Sequence, residues 1–195
     1  MGEERAEAKP PVKKFVGVLR SDDQVVVRDP EAVGFLTSRG YGIEEGGVVF
    51  LSPVETLYLV YRGYMEVVDV DGNAWTFTKL LQRFSRLDKE VWVKLNLYSD
   101  LRRRGFIVRR GVGDAIEFFV DRRTKEGMKR YLVRGVKEGE RLGFKDLEEM
   151  FRRALELSRE LVLAVVDKEG NITYYTVEKA ESVGRREGGE EGDSG

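Results

Sequence analysis

The sequence predicts a mixed α/β (α+β) protein of two units, because short β-branched runs alternate with capped, amphipathic segments. The strongest signal lies near the end of the chain, where residues 161–166 form a continuous apolar run typical of a central strand covered on both faces. Turn residues 167–171 and a β-branched and aromatic run, residues 172–177, then predict a hairpin. Residues 145–160 predict a helix that packs on this sheet. Six of its side chains are expected to face inward: Leu147, Met150, Phe151, Ala154, Leu155 and Ser158.

The first half of the chain repeats this alternation on a smaller scale. Four runs are predicted as strands: residues 15–19, 25–28, 48–51 and 65–70. Asp29 and Pro30 are typical of the N-cap and first residue of a helix, and Ser52 with Glu55 can form a capping box. A further helix is predicted over residues 76–84. We therefore expect residues 14–87 to form a small N-terminal α/β domain.

A second domain is expected over residues 88–180. It begins with a helical stretch, residues 88–104, which Gly105 ends. Three strands and a charged connection between the last two are predicted next: residues 106–108, 116–120 and 131–133, with 121–130 as the connection. Residues 1–13 and 181–195 lack apolar faces, so we expect a disordered leader and a disordered acidic tail.

Composition excludes several classes of chemistry. The 195 residues contain neither cysteine nor histidine, which removes disulfides, thiolate nucleophiles, the usual zinc sites and imidazole acid-base catalysis. The 35% of charged residues and the absence of cysteine favour a heat-adapted, thermophilic and cytoplasmic protein. No apolar run reaches the roughly 20 residues that a membrane span requires.

Charge is unevenly distributed although its sum is close to zero. The net charge is −1, yet residues 94–134 hold twelve basic side chains against five acidic ones. Contact with nucleic-acid phosphates requires such a local excess. A solvated surface in a charge-rich protein explains the same pattern and, from charge alone, is slightly favoured.

Three carboxylates suggest a second kind of site. Asp114, Glu117 and Asp121 lie at the edges of one predicted strand and could gather a divalent ion for nuclease chemistry. A metal-dependent nuclease of the restriction type would want a lysine just beyond the second carboxylate, where Phe119 stands. Ordinary exposed strand carboxylates are therefore the favoured interpretation, and no bound metal is expected.

Four segments together resemble a known family. They are Gly40-Tyr41-Gly42 and residues 51–59, 98–106 and 161–175. In this order and spacing they make the chain similar to subunits of the archaeal tRNA-splicing endonuclease, also called tRNA-intron endonuclease. The resemblance implies an N-terminal mixed α/β domain followed by a restriction-endonuclease-like domain with a central mixed sheet flanked by helices.

The resemblance also implies a reaction. Active members of the family cut precursor tRNA at bulge-helix-bulge introns without metal or cofactor, when a ribose 2′-hydroxyl attacks the adjacent phosphate. The products carry a 2′,3′-cyclic phosphate and a 5′-hydroxyl. This chemistry needs a base, an acid and a cation, which the family supplies as tyrosine, histidine and lysine.

This chain departs from the family at all three positions. The tyrosine position holds Asp121, the histidine position Met128 and the lysine position Arg159. A thioether cannot donate a proton, and arginine alone leaves both proton transfers unassisted. The resemblance therefore predicts a non-catalytic, structural subunit of a heterotetramer, in which two such chains join two catalytic ones.

The resemblance further implies contact surfaces. Final strands pair across subunits in this family, and an acidic turn before that strand enters a basic pocket of the opposite subunit pair. The interface residues expected here are Asp167, Lys168, Glu169, Ile172, Thr173, Tyr174, Tyr175 and Val177. Candidates for contact with RNA phosphates are Arg109, Arg110, Arg122, Arg123, Lys129 and Arg130. The alternatives are a metal-dependent nuclease that uses the three carboxylates and a stand-alone RNA-binding homo-oligomer.

Overall fold

The computed structural model describes residues 14–111 and 115–179, which form two mixed sheets and five helices. The first six strands are β1 (Phe15–Leu19), β2 (Val25–Val27), β3 (Ile43–Glu45), β4 (Val48–Leu51), β5 (Met65–Asp69) and β6 (Ala74–Trp75). The other five are β7 (Ile107–Arg110), β8 (Glu117–Thr124), β9 (Gly127–Lys137), β10 (Glu160–Val166) and β11 (Ile172–Val177). The helices are α1 (Pro30–Ser38), α2 (Pro53–Tyr61), α3 (Phe77–Leu87), α4 (Val91–Arg103) and α5 (Phe144–Glu156). The predicted mixed α/β class is confirmed.

Each half of the chain contributes one sheet. The first has the strand order β3-β4-β2-β1-β5-β6, in which β1 and β5 are parallel and the other pairs antiparallel. The second has the order β11-β10-β9-β8-β7, in which β9 and β10 are parallel. Helix α5 is the crossover that a parallel pair requires. The closing hairpin therefore places β11 at the edge of its sheet.

Local signals set several element ends as predicted. The Ser52 hydroxyl accepts a hydrogen bond from the Glu55 amide, and the Glu55 carboxylate accepts one from the Ser52 amide at 3.0 Å. Asp29 caps α1 by accepting from the Ala32 amide at 2.9 Å. Each cap satisfies amide groups that have no partner within the helix.

The hydrophobic core is continuous between the two sheets. Helix α4 buries Val91, Leu95, Tyr98 and Leu101 within it and leaves Trp92 56% exposed. A smaller cluster lies on the far face of the second sheet, where Ala154 of α5 meets Leu132 and Leu161. The second sheet is thus covered on both faces. The domain limits 14–87 and 88–180 remain predictions, and the predicted leader and tail lie outside the described residues.

Two predicted element boundaries are wrong. Residues 121–130, predicted as a charged connection, largely continue the two strands. Strands β8 and β9 stay paired through them, with Arg123 opposite Met128 and Thr124 opposite Gly127. Helix α5 ends at Glu156 rather than at residue 160. Ser158 takes the left-handed conformation that ends helices, with φ 53°. Leu155 and Ser158, which were expected to face inward, are both exposed.

Candidate functional site

The three positions that the resemblance marks as catalytic come together at one end of the second sheet. Met128 near the start of β9 and Arg159 just before β10 line one shallow surface pocket, and Asp121 of β8 accepts a hydrogen bond from Arg159. The other residues lining this pocket are Lys129, Arg130, Leu155, Ser158 and Glu160. The left-handed turn at Ser158 places Arg159 here, since it reverses the chain directly into the strand.

The guanidinium of Arg159 is held firmly by the protein. Its Nη1 donates to Asp121 Oδ1 at 2.8 Å and to the Tyr131 carbonyl oxygen at 3.2 Å, and the group lies over the Phe119 ring. Arg109 donates to the second oxygen of the Asp121 carboxylate at 3.0 Å. Asp121 is therefore bracketed by two arginines, and the positive charge of Arg159 is already compensated by a carboxylate.

Met128 supplies no proton chemistry to the pocket. Its side chain is 45% exposed at the rim, opposite Arg123 on the neighbouring strand. A thioether sulfur has no dissociable proton and is only a weak acceptor. The chain contains no histidine anywhere that another segment could contribute.

The carboxylates proposed for a metal are engaged elsewhere. Glu117 is buried and receives two hydrogen bonds from Arg153, of 2.9 and 3.0 Å. Asp121 is bound by Arg109 and Arg159, and Asp114 lies outside the described residues. Within residues 14–111 and 115–179 no three acidic, histidine or cysteine side chains gather as a metal site would require.

The basic region divides into structural and exposed cations. Lys94 and Arg102 are buried inside the protein. The six candidates for phosphate contact are all exposed: Arg109, Arg110, Arg122, Arg123, Lys129 and Arg130. Of these, Arg109 is paired with Asp121, and Arg122 lies over the Phe106 ring at 5.2 Å. The exposed cations lie on β7, β8 and the first residues of β9, beside the pocket.

The hairpin tip that was expected to contact another subunit is preorganised. Asp167 accepts hydrogen bonds from the Asn171 amide at 2.7 Å and from its side chain at 2.8 Å, and these bonds lower the pKa of the Asp167 carboxyl. Asn96 of α4 donates to the Gly170 carbonyl oxygen at 3.0 Å. Lys168 and Glu169 at the tip are exposed. The turn therefore presents its charges from a fixed backbone.

The returning strand β11 has one side without a neighbour among the described residues. Tyr174 points inward and donates to Asp100 Oδ2 at 2.7 Å, whereas Tyr175 is 55% exposed on the opposite face. Ile172 and Val177 are half-buried and Thr173 is exposed. An edge strand of this kind offers unpaired backbone groups to a partner strand.

Both halves of the chain match known sequences. Residues 17–81 match the model for the tRNA intron endonuclease N-terminal domain, and residues 91–174 match the model for its catalytic C-terminal domain. The chain belongs to the tRNA intron endonuclease family. The two matched ranges correspond to the part with the first sheet and to α4 with the second sheet.

Similar proteins span nearly the whole chain. Over 168 residues it is 33% identical to the tRNA-splicing endonuclease of Pyrococcus abyssi, covering 86% of this chain and 98% of that protein. Over 172 residues it is 30% identical to that of Methanococcus vannielii, covering 87% and 96%. Over 160 residues it is 34% identical to that of Thermococcus kodakarensis, covering 81% and 94%. No helix in the described part of this family member is long and apolar enough to cross a bilayer.

Several features of the site were not apparent from the sequence. The ion pair between Glu117 and Arg153 joins residues 36 positions apart, and only the packing of α5 on the second sheet brings them together. Ser158 takes the left-handed conformation although it is not a glycine, so the sequence does not mark this helix end. Only the resemblance to the family indicated that Arg159 lies at a candidate functional position.

Proposed function

We propose that this chain is the non-catalytic, structural subunit of a heterotetrameric tRNA-splicing endonuclease, built from two such chains and two catalytic ones. The observation that supports the proposal is which side chains occupy the pocket around Arg159. Met128 occupies the position of the proton donor, and Arg159 is bound to Asp121 at 2.8 Å. The complex would cut precursor tRNA at bulge-helix-bulge introns, while this chain supports the partner that performs the chemistry.

The cleavage reaction depends on proton transfer. Cleavage by a 2′-hydroxyl requires a group that removes its proton and another that protonates the leaving oxygen. Met128 can do neither, and the Asp121 carboxylate is fully occupied by Arg109 and Arg159. Arg159 retains a positive charge, but its compensation by Asp121 weakens its effect on a charged transition state.

Assembly is supported by the closing hairpin. The free edge of β11 suits pairing with the same strand of a partner, and Tyr175 adds exposed aromatic surface. The rigid turn holds Asp167 and Glu169 where a basic pocket could receive them. Lys168 lies between these two residues and reduces the net negative charge of the tip. These features support a role in subunit contact, although the tyrosine and histidine of the family are absent from their positions.

Cleavage assays with separated subunits test the proposal. The purified chain is expected to leave a bulge-helix-bulge RNA uncut with and without Mg²⁺, and cleavage should appear when the co-purifying catalytic subunit is added. A triple variant, Asp121→Tyr, Met128→His and Arg159→Lys, should give the chain measurable metal-independent cleavage. Robust metal-independent cutting by the unmodified chain alone would refute the assignment.

The cleavage assay and a sedimentation measurement test the two alternatives. Cleavage that requires Mg²⁺ or Mn²⁺ and is lost in Asp114→Asn would support a metal-dependent nuclease. Sedimentation of the chain with and without its partner tests the third possibility, a stand-alone RNA-binding homo-oligomer. The proposed heterotetramer predicts a mixed complex with equal numbers of the two chains. We propose that this complex acts on precursor tRNA in the cytoplasm.

A further inference from the structure

A second basic groove lies on the N-terminal half, between the turn that joins β5 to β6 and helix α3. Its lining includes Asp69, Asn73, Trp75, Lys79, Arg83 and Arg86. None of them belongs to the pocket around Arg159 or to the closing hairpin. The groove combines an aromatic side chain with several cations, and the proposed assembly does not involve it.

The indole of Trp75 is positioned by its neighbours. Its Nε1 donates to Asp69 Oδ2 at 3.3 Å, and the other Asp69 oxygen accepts from the amides of Asp71 and Asn73. The Arg83 guanidinium lies 5.3 Å from the indole ring centroid. Trp75 is half-buried and packs against the core. The ring is thus fixed in the groove, with its N–H directed at the turn.

The cations lie on one face of α3. Lys79, Arg83 and Arg86 follow at helical spacing, opposite the buried Leu80 and Phe84, so the first and last of them are about 10 Å apart along the axis. Arg83 is paired with Asp23 and is partly screened. Lys79 and Arg86 are exposed and make no ion pair within the described residues.

We propose that this groove binds a single-stranded stretch of RNA, with phosphates on Lys79 and Arg86 and a base against Trp75. Exposed cations beside a fixed aromatic ring are the combination by which proteins hold single strands, since phosphates supply charge and bases supply stacking surface. An acidic peptide would satisfy the cations but would leave the indole unused. The inference rests on membership of an RNA-processing family and is independent of which subunit performs the cleavage.

Tryptophan fluorescence can report binding in this groove separately from binding to the basic surface on β7 to β9. The chain has two tryptophans, so Trp92→Phe leaves Trp75 as the only one. Titrating this variant of the full chain with an eight-residue uridine oligonucleotide should quench Trp75 emission. Replacing Lys79 and Arg86 by alanine should weaken binding and reduce the slope of log K against log salt by about 1.4, since each single-strand phosphate contact contributes about 0.7.

A matched control separates specific contact from loss of net charge. Lys89→Ala with Lys145→Ala removes the same charge from exposed lysines outside the groove and should leave quenching and slope unchanged. Circular dichroism verifies that each variant is folded. The inference would be overturned by equal binding of both double variants, or by a poly-glutamate peptide that quenches Trp75 as strongly as the oligonucleotide at the same salt. Neither result depends on whether the chain cleaves RNA, so the subunit assignment is tested separately.

Discussion

Arg102 of α4 donates a hydrogen bond of 2.8 Å to the carbonyl oxygen of Gly40, in the turn that ends α1. It also donates to the carbonyl oxygen of Arg39 at 2.9 Å and to the Tyr98 hydroxyl at 3.0 Å, and its guanidinium stacks 3.9 Å above the Tyr41 ring. Two of the segments that carry the family resemblance therefore meet at this side chain. A buried cation joins the two halves of the chain through backbone acceptors and aromatic faces.

Replacing Arg102 by methionine should destabilise the protein by about 2–4 kcal/mol, because buried carbonyl oxygens lose charged donors. Urea unfolding followed by circular dichroism measures the change. Arg103→Met is the matched control, since the neighbouring side chain is 71% exposed and its ion pair with Asp100 should contribute no more than about 1 kcal/mol. Equal unfolding midpoints for the two variants would contradict the joining role of Arg102.

Asp100 should make the protein sensitive to acid. Burial raises the pKa of this carboxyl, but hydrogen bonds from Tyr174, Arg104 and Arg103 together lower it by more. The net shift of the pKa is therefore downward. A depressed pKa in the folded state stabilises the protein above the unfolded pKa of about 3.9, and this stability is lost as the pH falls through the folded value. Asp100→Asn should therefore be less stable than the original chain at pH 6, and the gap should close as the pH falls through the lowered pKa of Asp100.

The hydroxyl of Tyr174 provides an independent check of this linkage. Tyr174→Phe removes one donor to Asp100 and should move the acid unfolding transition to higher pH. Thermal denaturation from pH 2 to pH 7 measures both variants. A stability gap for Asp100→Asn that stays constant across this range would show that the carboxylate charge does not matter.

The ion pair between Glu117 and Arg153 should stabilise the protein, because Glu117 is buried although the Arg153 side chain is 38% exposed. Arg153→Met leaves a carboxylate that is 4% exposed without its partner, and the expected loss is about 3 kcal/mol or more. Arg152→Met, one residue earlier on the exposed side of α5, should change stability by less than about 0.5 kcal/mol.

A double variant distinguishes loss of the pair from loss of packing. Glu117→Leu with Arg153→Met replaces both charges by apolar groups and should recover much of the lost stability. The free energies of unfolding of the single and double variants give the coupling. Additive losses would mean that the two side chains stabilise the sheet independently.

Predictions from capping residues and β-branched runs agree with the structure, whereas contacts between residues distant in the chain were not predicted. The capping box at Ser52 and the strand at residues 172–177 involve neighbouring residues alone, so the sequence suffices to place them. By contrast, Arg102 looked like one of twelve surface cations, although its acceptors at Arg39 and Gly40 lie more than 60 positions away. Composition cannot separate a buried cation from an exposed one when only the folded chain brings its acceptors near.

The candidate site shows the same division. The resemblance placed Asp121, Met128 and Arg159 at equivalent positions, and the structure does bring them together. Their present chemistry was not predictable, because the pairing of Arg159 with Asp121 follows from the left-handed turn at Ser158 and the length of β8. Neither feature has a local sequence signal such as glycine or an apolar alternation.

The tip of the closing hairpin offers a test of assembly through opposite charge changes at adjacent positions. Glu169→Lys should weaken the mixed complex and Lys168→Glu should strengthen it, because both side chains are exposed on a turn that Asn96 and Asp167 hold in place. Neither substitution removes a hydrogen bond of the turn, so the fold should be unaffected. Sedimentation of the co-expressed subunits at low and high salt measures the effect, which should shrink as salt screens the charges. If both variants assembled as the original chain does at low salt, the turn would have no electrostatic partner, and subunit contact would have to depend on the edge of β11 alone.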